Sequence, residues 1–510
     1  MDASIDPITR SGPPANQRIA PLAMDAASFR DAGHRLVDEL AELLESLPAR
    51  PVARDGSPSS VRSALGLGGP LPEQGADAAS LLTSSARVLF DQSLFNAHPR
   101  FFGYITAPPA PIGILGDLLA SALNANLGAW LLAPAATEVE SDTVRWIAEL
   151  LGFPADCGGI LVSGGNMANL VCFLAARTAA ADWDVRADGL AGRTLCAYGS
   201  AETHTWIQKA ADLTGIGTSA IRWVPTDDDL RMDVAALRRS IDADIASGHR
   251  PFIVVGTAGS VGTGAIDPLP AIADLCRERG IWFHVDGAYG GFAAALPDAP
   301  GELRAIGGAD SVAVDPHKWL YAPLEAGCAL VRDPEKLRAA FSYHPPYYHL
   351  EERATNYVDY GPQNSRGFRA LKVWLALRHA GASGYRQMIA DDIHLSRHLA
   401  AVVERHPELE LATQSLSITT FRYVPVDLRA RVGEESVERH LDALNRELLD
   451  RLQRGGEVFV SNAVVRNRYL LRACIVNFHT ERADVEAVPE IVARAGRSVD
   501  GALRPASLRA

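Results

Sequence analysis

The chain has 510 residues, of which 47% are hydrophobic and 22% are charged, and its formal net charge is −12. This composition is typical of a globular protein with two or three domains, or with one large α/β domain and a smaller one. The acidic balance and the lack of a strongly basic cluster argue against nucleic acid as a partner. Six scattered cysteines without a CxxC pair argue against a zinc site or a disulfide framework and favour a cytoplasmic location.

The first hundred residues predict two helices between irregular segments. Residues 1–24 lack the hydrophobic core of a signal peptide and predict a mobile tail, as do residues 504–510. Apolar residues at helical spacing predict helices at 27–47 and 78–94. Prolines and aromatic residues at 98–111 predict a loop of the kind that often lines a ligand pocket. No apolar stretch is long enough to span a bilayer, so we expect no membrane partner.

Helical and strand-like segments alternate in the middle of the chain. Thr137 is expected to cap a helix that ends at Gly152, and residues 270–279 predict another helix. The predicted strands are residues 160–162, 194–198, 221–224, 252–256, 281–285, 311–314 and 329–331. This alternation predicts an α/β fold with a mainly parallel seven-stranded sheet and helices on both faces.

The pattern changes in the last third of the chain. Residues 368–379 begin a long helical stretch. After about residue 381 the pattern predicts a helix, short strands at 416–423, 458–461 and 469–475, and a final helix. We interpret this part as a smaller α+β domain.

Three segments contain residues that are suited to react with a ligand or to bind one. The run S-V-A-V-D-P-H-K-W-L places Lys318 just after a predicted strand, where an amine among apolar groups is suited to react with a carbonyl. Taken alone, Lys318 is at least as well explained as a surface lysine after a turn. Asp286 follows another predicted strand, so both residues are expected at the edge where open α/β sheets bind ligands. The loop S-G-G-N at 163–166 precedes a helix and is suited to hold a phosphate.

A reactive lysine, an aspartate and a phosphate-binding loop together favour pyridoxal 5′-phosphate as cofactor. A lysine would bind its aldehyde as a Schiff base, an aspartate would pair with the pyridine nitrogen, and the glycine loop would hold the phosphate. Each feature is weak by itself, because glycine-rich turns and strand-end aspartates are common. The order and spacing of all three carry the prediction.

From about residue 29 to residue 496 the sequence resembles the group II pyridoxal-phosphate-dependent amino-acid decarboxylases, within them the aromatic-L-amino-acid decarboxylase branch. The motifs that carry the resemblance are H-P-R-F-F-G-Y at 98–104, P-A-A-T-E-V-E at 134–140, H-V-D-G-A-Y-G at 284–290, D-P-H-K-W-L at 315–320 and R-G-F-R-A-L-K-V-W at 366–374. The resemblance implies a fold-type I, transferase-like architecture and a homodimer with active sites at the subunit interface.

The resemblance also implies a domain layout. We expect a helical segment at 25–110 that packs on the partner subunit, a large cofactor-binding domain at 111–380 and a small C-terminal domain at 381–503. The reaction it implies is decarboxylation of an L-amino acid to an amine and CO₂, by a carboxy-lyase. Alternatives are an aldehyde synthase on the same scaffold, a decarboxylase of acidic or diamino amino acids, and a non-catalytic scaffold.

The family motifs assign roles at the cofactor. Lys318 is expected to form the Schiff base, Asp286 to pair with the pyridine nitrogen, and His204 to stack on the ring. Without the resemblance, His204 would be explained as a capping or surface histidine. The residues expected to bind the cofactor are Lys318, Asp286, His204, Gly165, Asn166, Thr257, His317 and Asp315.

Two of these positions depart from the family pattern. Asn166 replaces a hydroxyl residue, although its amide can still donate to a phosphate. Asp315 stands where some relatives have asparagine. A carboxylate beside a phosphate repels it unless the carboxylate turns away or is protonated. Whether Asp315 contacts the phosphate therefore stays open.

Tyr347 is expected to return a proton to the substrate Cα after CO₂ leaves, which selects amine over aldehyde as product. Tyr348 is the alternative donor, and a third interpretation is that both tyrosines only pack against a partner chain. The catalytic residues implied by the resemblance are Lys318, His204, Tyr347 and Asp286.

The expected substrate pocket consists of Tyr104, Thr106, Trp130, Ser365 and Arg472. The Arg472 guanidinium either binds a carboxylate or braces an interface. Gly128 and Asn126 replace bulkier or less polar residues of relatives, which predicts a wider or more polar pocket. We expect an aromatic or imidazole side chain on the substrate.

Overall fold

The computed structural model describes residues 20–345 and 354–509. The chain forms two compact units, Met1–Leu94 and Phe95–Ala510. The helices of the first unit are α1 (Ala26–Ser46), α2 (Pro58–Ala64) and α3 (Ala78–Gln92). Helix α1 packs against α3, and the predicted helices at 27–47 and 78–94 match them closely. The side chains of Asp25 and Asp77 begin α1 and α3 by accepting hydrogen bonds from backbone amides of the first turn.

The second unit alternates strands and helices up to residue 341. Its helices are α4 (Pro111–Leu123), α5 (Pro134–Leu151), α6 (Gly165–Ala180), α7 (Val185–Asp188), α8 (Trp206–Leu213), α9 (Val234–Ala246), α10 (Leu269–Arg279), α11 (Pro334–Phe341), α12 (Ala370–Arg405), α13 (Glu435–Gly455) and α14 (Arg482–Leu503). Its strands are β1 (Gly158–Val162), β2 (Leu195–Ser200), β3 (Ile221–Val224), β4 (Arg250–Thr257), β5 (Trp282–Asp286), β6 (Ser311–Val314), β7 (Gly327–Val331), β8 (Leu409–Ser415), β9 (Ile418–Tyr423), β10 (Ser461–Val465) and β11 (Arg468–Cys474).

The central sheet has seven strands in the order β1-β7-β6-β5-β4-β2-β3. Strands β2 to β6 pair in parallel, whereas β7 runs antiparallel to both β1 and β6. Helices cover both faces, so strands such as β5 and β6 are buried throughout. Burial on both faces explains the continuous apolar runs by which the strands were predicted. The predicted seven-stranded, mainly parallel sheet is confirmed.

The helix around Thr137 begins earlier than predicted. Helix α5 starts at Pro134, whose fixed φ suits the first helical position, and Thr137 lies within it. The prediction that Thr137 caps the helix is therefore wrong. Gly152 ends α5 with φ of 66°, as predicted. Further along, Gly381 interrupts the long helix α12 with φ of 65°.

The second, smaller sheet is antiparallel, with the order β10-β11-β9-β8. Helices α12, α13 and α14 pack against it and bury an apolar core. The strand predicted at 458–461 is displaced, because β10 starts at its last residue, Ser461. Phe459 instead forms an isolated bridge with Phe101. Strand β8 was not predicted, since its side chains are mostly half-buried and give no clear apolar pattern.

Within the residues described, no helix is both long and apolar enough to cross a membrane. All six cysteines carry free thiols, and five of them are buried.

Candidate active site

A cavity of about 640 Å³ opens at the carboxyl ends of the parallel strands, the edge predicted to bind a ligand. We call two of its sides walls. The strand-edge wall consists of residues at or just after strand ends: Gly164, Gly165, Asn166, His204, Thr257, Asp286, Asp315, His317 and Lys318. The outer wall consists of Tyr104, Ile105, Thr106, Ser461, Asn462 and Arg472.

Lys318 lies in a turn directly after β6, and its amine pairs with a carboxylate. The Nζ atom is 2.9 Å from Oδ2 of Asp315, which is almost completely buried. The turn is closed by a hydrogen bond from the Lys318 amide to the carbonyl of Asp315. Of the residues described, Lys318 is the one lysine that lines the cavity.

The segment after Lys318 is anchored from behind by Asp392 of α12. Oδ2 of Asp392 accepts hydrogen bonds from the Trp319 indole at 2.9 Å and from the Tyr321 hydroxyl at 2.7 Å. All three side chains are buried. Burial raises the pKa of Asp392 to about 7. The reactive lysine is thus attached to a rigid support.

The glycine loop lies beside the Lys318–Asp315 pair. Gly164 adopts φ of 97° before α6 begins, a conformation that favours glycine. A Cβ atom on Gly165 would lie 2.7 Å from Oδ2 of Asp315, so a larger residue there would require the Asp315 side chain to shift. The first turn of α6 directs unpaired backbone amides toward this space, which suits an anion such as a phosphate. Asn166 is exposed in the same turn.

Asp286 ends β5 and is held by two donors. Its Oδ2 accepts a hydrogen bond from the Trp206 indole at 2.7 Å, and its Oδ1 accepts one from the Ala288 amide at 3.1 Å. Only 6% of Asp286 is exposed.

His204 lies beside Asp286 and is accessible from the cavity. The surrounding protein lowers its pKa, because desolvation disfavours the charged imidazolium. Nδ1 accepts a hydrogen bond from the Trp206 amide at 3.2 Å, which leaves the proton of the neutral ring on Nε2. A neutral ring is suited to stack on an aromatic cofactor.

His317 and Thr257 complete the strand-edge wall. Nδ1 of His317 lies 2.6 Å from the Ala326 carbonyl and donates to it. The Thr257 hydroxyl is buried and has no hydrogen-bond partner among the residues described. Its amide donates to Asp267 at 2.8 Å, and burial raises the pKa of Asp267 to about 6. An unpaired buried hydroxyl is costly and is suited to a bound ligand.

The outer wall is assembled by long-range contacts. Nη1 of Arg472 donates to the Tyr104 carbonyl at 3.0 Å and to the Ser461 hydroxyl at 3.1 Å. The other two guanidinium nitrogens, Nε and Nη2, are buried and have no partner within the described ranges. Tyr104 has φ of 52°, and 58% of the residue is exposed. Arg472 therefore holds the backbone from which the Tyr104 side chain projects.

Two expected substrate residues do not line this cavity. The Trp130 indole donates to Glu138 at 2.7 Å, and Ser365 is an exposed residue of another loop. Their assignment to the substrate pocket stays a prediction: Trp130 follows the end of α4, and its indole is bonded to Glu138 of α5. Tyr347 and Tyr348 lie outside the described residues.

Asn126 and Gly128 shape the backbone rather than the cavity. Oδ1 of Asn126 accepts hydrogen bonds from the amides of Gly128 and Arg366. A Cβ atom on Gly128 would lie 2.2 Å from the carbonyl oxygen of Asn364. The small residue is thus required by a close backbone contact, and the expectation of a wider or more polar substrate pocket stays a prediction.

Several cavity residues were not predicted. They include Asn169, Glu202, Trp206, Glu325, Ser461 and Asn462. Trp206 follows His204 by two residues, but nothing in the sequence shows that its indole reaches Asp286. Glu202 could have been predicted from the sequence. Its carboxylate lies two positions before His204, the histidine proposed to stack on the ring, and so lies next to the same ligand.

The strand-edge wall fits pyridoxal 5′-phosphate. It offers an amine at Lys318, a carboxylate at Asp286, an amide cradle at the glycine loop and the unpaired hydroxyl of Thr257. These are the groups that the aldehyde, pyridine nitrogen and phosphate of this cofactor require.

Residues 66–424 match the pyridoxal-dependent decarboxylase conserved domain. The chain belongs to the pyridoxal-dependent decarboxylase family. It is 32% identical over 464 residues to an aromatic-L-amino-acid decarboxylase of Bacillus atrophaeus, covering 90% of this chain and 93% of that protein. It is also 32% identical to a histidine decarboxylase of Drosophila melanogaster, covering 91% of this chain and 54% of that protein.

Solved structures agree with this assignment. The crystal structure of Oryza sativa TDC with PLP and tryptamine matches with a TM-score of 0.86 and 28% identity, over 94% of this chain and 99% of that one. The decarboxylase thus has the fold-type I architecture, uses pyridoxal 5′-phosphate and acts as a carboxy-lyase on an amino acid. The predicted family, fold, cofactor and reaction class are confirmed.

Proposed function

We propose that this decarboxylase converts an aromatic or imidazole L-amino acid into its amine at the cavity between the strand-edge wall and the outer wall. The observation that carries the proposal is the placement of Lys318, Asp286 and His204 together in one cavity of suitable size. The names of the relatives, an aromatic-L-amino-acid decarboxylase and a histidine decarboxylase, support the side-chain class.

The residues of the strand-edge wall have separate tasks in this proposal. Lys318 would hold the cofactor through its amine. Asp286 pairs with the pyridine nitrogen, and neutral His204 packs on the ring. When bound, pyridoxal phosphate supplies the electron sink that accepts the electrons of the bond between Cα and the carboxylate.

The outer wall positions the substrate. Arg472 adds positive charge beside the cavity and fixes Tyr104 and Ser461, so we assign it both to attraction of the substrate carboxylate and to bracing of this wall. Tyr104 and Thr106 contact the side chain. In this proposal the outer wall orients the substrate carboxylate relative to the cofactor.

Tyr347 is proposed as the group that protonates Cα, with Tyr348 as the alternative. The test compares Tyr347→Phe with the matched variant Tyr348→Phe in the presence of oxygen. Loss of the donor is expected to divert turnover from amine to aldehyde and ammonia. Unchanged amine yield in Tyr347→Phe would refute the assignment. Aldehyde as the main product of the unmodified enzyme would favour the aldehyde synthase alternative.

A second candidate substrate is an amino acid with a cationic side chain. Glu202 lines the cavity, and burial raises the pKa of its carboxyl group. A cationic group on the substrate would stabilise the ionised carboxylate. Release of CO₂ from a panel of L-amino acids, with the product amine identified by mass spectrometry, decides between aromatic, imidazole and diamino substrates.

We also propose that the enzyme is a homodimer. Helix α4 exposes several leucines on the surface, among them Leu115, Leu118 and Leu119, and a surface of this kind is typical of a protein interface. Trp130 and Ser365 lie off the cavity of their own chain, so we assign them to the site of the partner subunit. Leu118→Asp with Leu119→Asp is expected to give an inactive monomer by light scattering, whereas an active dimer would refute this interface.

The six free thiols support operation in a reducing compartment, and we propose the cytoplasm.

A further inference from the structure

We propose that Trp206 is a positioning residue for the cofactor: its indole N–H fixes the Asp286 carboxylate at one angle toward the cavity. The proposal rests on the assignment of Asp286 to the pyridine nitrogen. The indole contacts Oδ2 of Asp286 at 2.7 Å, and both side chains are almost completely buried. A hydrogen bond between a neutral donor and a carboxylate in a dry environment is among the stronger ones in proteins.

In this contact the Trp206 indole can act only as the donor and Asp286 only as the acceptor. An indole nitrogen donates a hydrogen bond and cannot accept one. It therefore donates to a lone pair of Oδ2. The Ala288 amide occupies Oδ1 in the same way. The two donors hold the carboxylate plane from two sides and leave lone pairs for one further donor, the protonated pyridine nitrogen.

The indole itself is held rigidly. The edge of its ring meets His284 at 5.7 Å between centroids and Phe173 at 6.2 Å, both nearly perpendicular. His284 is fixed in turn, because its two ring nitrogens contact Asn169 and Ser311 at 2.7 and 2.8 Å. Burial lowers the pKa of His284 to about 4, so this ring stays neutral. The donor to Asp286 cannot swing away without breaking this packing.

Trp206 also connects two residues of the strand-edge wall. Its backbone amide donates to Nδ1 of His204, while its side chain donates to Asp286. A substitution of the side chain removes the second contact and leaves the first. This separation allows the role of the indole N–H to be measured without disturbing the His204 ring.

The test uses Trp206→Phe, which keeps a buried aromatic ring and removes the N–H. Release of pyridoxal phosphate from the holoenzyme is followed by dialysis and by cofactor absorbance. We expect the dissociation constant to rise about 10- to 100-fold, the range for loss of a hydrogen bond to a charged group. Trp206→His, which retains a ring N–H, is expected to bind within a few-fold of the unmodified enzyme and serves as a second variant if Trp206→Phe does not fold.

A double-mutant cycle with Asp286→Asn separates positioning from packing. If the indole acts through Asp286, Trp206→Phe weakens cofactor binding much less in the Asp286→Asn background. An equal loss in both backgrounds, or unchanged binding in Trp206→Phe while Asp286→Asn loses affinity, would overturn the role of Trp206 alone. Unchanged binding in Asp286→Asn would overturn the assignment of Asp286 together with it. These outcomes do not depend on which amino acid is the substrate.

Discussion

The strand-edge wall and the outer wall of the cavity are built in different ways. The strand-edge wall is placed by a parallel sheet, and its residues sit in short motifs directly after strands. The outer wall depends on hydrogen bonds between segments more than 350 positions apart in sequence. One example is the bond from Arg472 to the Tyr104 carbonyl, whose residues are 368 positions apart. The residues proposed for the chemistry lie on the strand-edge wall, and those proposed to contact the substrate side chain lie on the outer wall.

If these roles hold, separate parts of the chain determine the reaction and the choice of substrate. A change on the strand-edge wall is expected to affect every substrate alike. A change on the outer wall is expected to alter affinity or preference while the cofactor stays bound. The following predictions test that division, starting from the largest effect.

Lys318→Ala is expected to abolish decarboxylation of all substrates, with a loss of more than about 10³-fold, because it removes the amine that holds the cofactor. The measurement is CO₂ release across the amino-acid panel, together with cofactor absorbance. Lys336→Ala, which alters an exposed lysine of α11 away from this cavity, is the matched control and should behave as the unmodified enzyme. Substantial activity in Lys318→Ala would remove this lysine from the site.

Arg472→Gln is expected to raise KM by roughly 10- to 100-fold, because it removes a positive charge and the Nη1 hydrogen bonds to the Tyr104 carbonyl and the Ser461 hydroxyl. Steady-state kinetics with the preferred substrate provide the measurement. Arg472→Lys keeps the positive charge and loses the guanidinium group. If charge dominates, the lysine variant recovers most of the affinity; if bracing dominates, it resembles the glutamine variant. An unchanged KM in both variants would exclude Arg472 from substrate binding.

Tyr104→Ala is expected to change the ratio of kcat/KM between two amino acids by about 10-fold, since one side chain in a pocket contributes that order of discrimination. The dissociation constant of pyridoxal phosphate should stay the same, because Tyr104 lies on the outer wall. Competition between an aromatic and a small amino acid measures the ratio. A loss of cofactor together with activity would contradict the separation of the two walls.

Asp392→Asn is expected to alter the pH dependence of stability. The pKa of Asp392 is raised by burial from 3.8 to about 7, so its stabilising contribution is complete below about pH 4 and is lost as the pH rises to about 7. This loss amounts to roughly 4 kcal/mol at most. Denaturant unfolding at several pH values measures the free energy of unfolding. As the pH rises, this free energy should increase in the variant relative to the unmodified enzyme. The same dependence of the unfolding free energy on pH in the variant and the unmodified enzyme would contradict the raised pKa of Asp392.

Local patterns predicted most of the large sheet but less of the small one. Strands β3 and β6 occupy the predicted residues; β6 is an apolar run that is buried throughout, and β3 is a short, largely apolar run at the edge of the sheet. Strand β8 alternates only weakly and was missed. Thr137 was assigned as a helix cap from its residue type, whereas Pro134 begins that helix.

The residues of the site were likewise predicted only where a local sequence motif marks them. Lys318, Asp286 and the glycine loop were found because each lies in a motif at a strand end, and the sheet brings them together. The contact of Trp206 with Asp286 depends on side-chain direction across two strands, which spacing does not encode. Trp130 was predicted in the pocket from a motif alone, and the motif does not show which chain's cavity it serves.

The close approach of Gly165 to Asp315 has a consequence for laboratory evolution of this enzyme. A Cβ atom at position 165 would overlap the carboxylate that pairs with Lys318. A side chain at position 165 therefore displaces the carboxylate that pairs with Lys318. Libraries that vary positions 165 and 315 together give this carboxylate room to adjust, whereas libraries that vary position 165 alone do not.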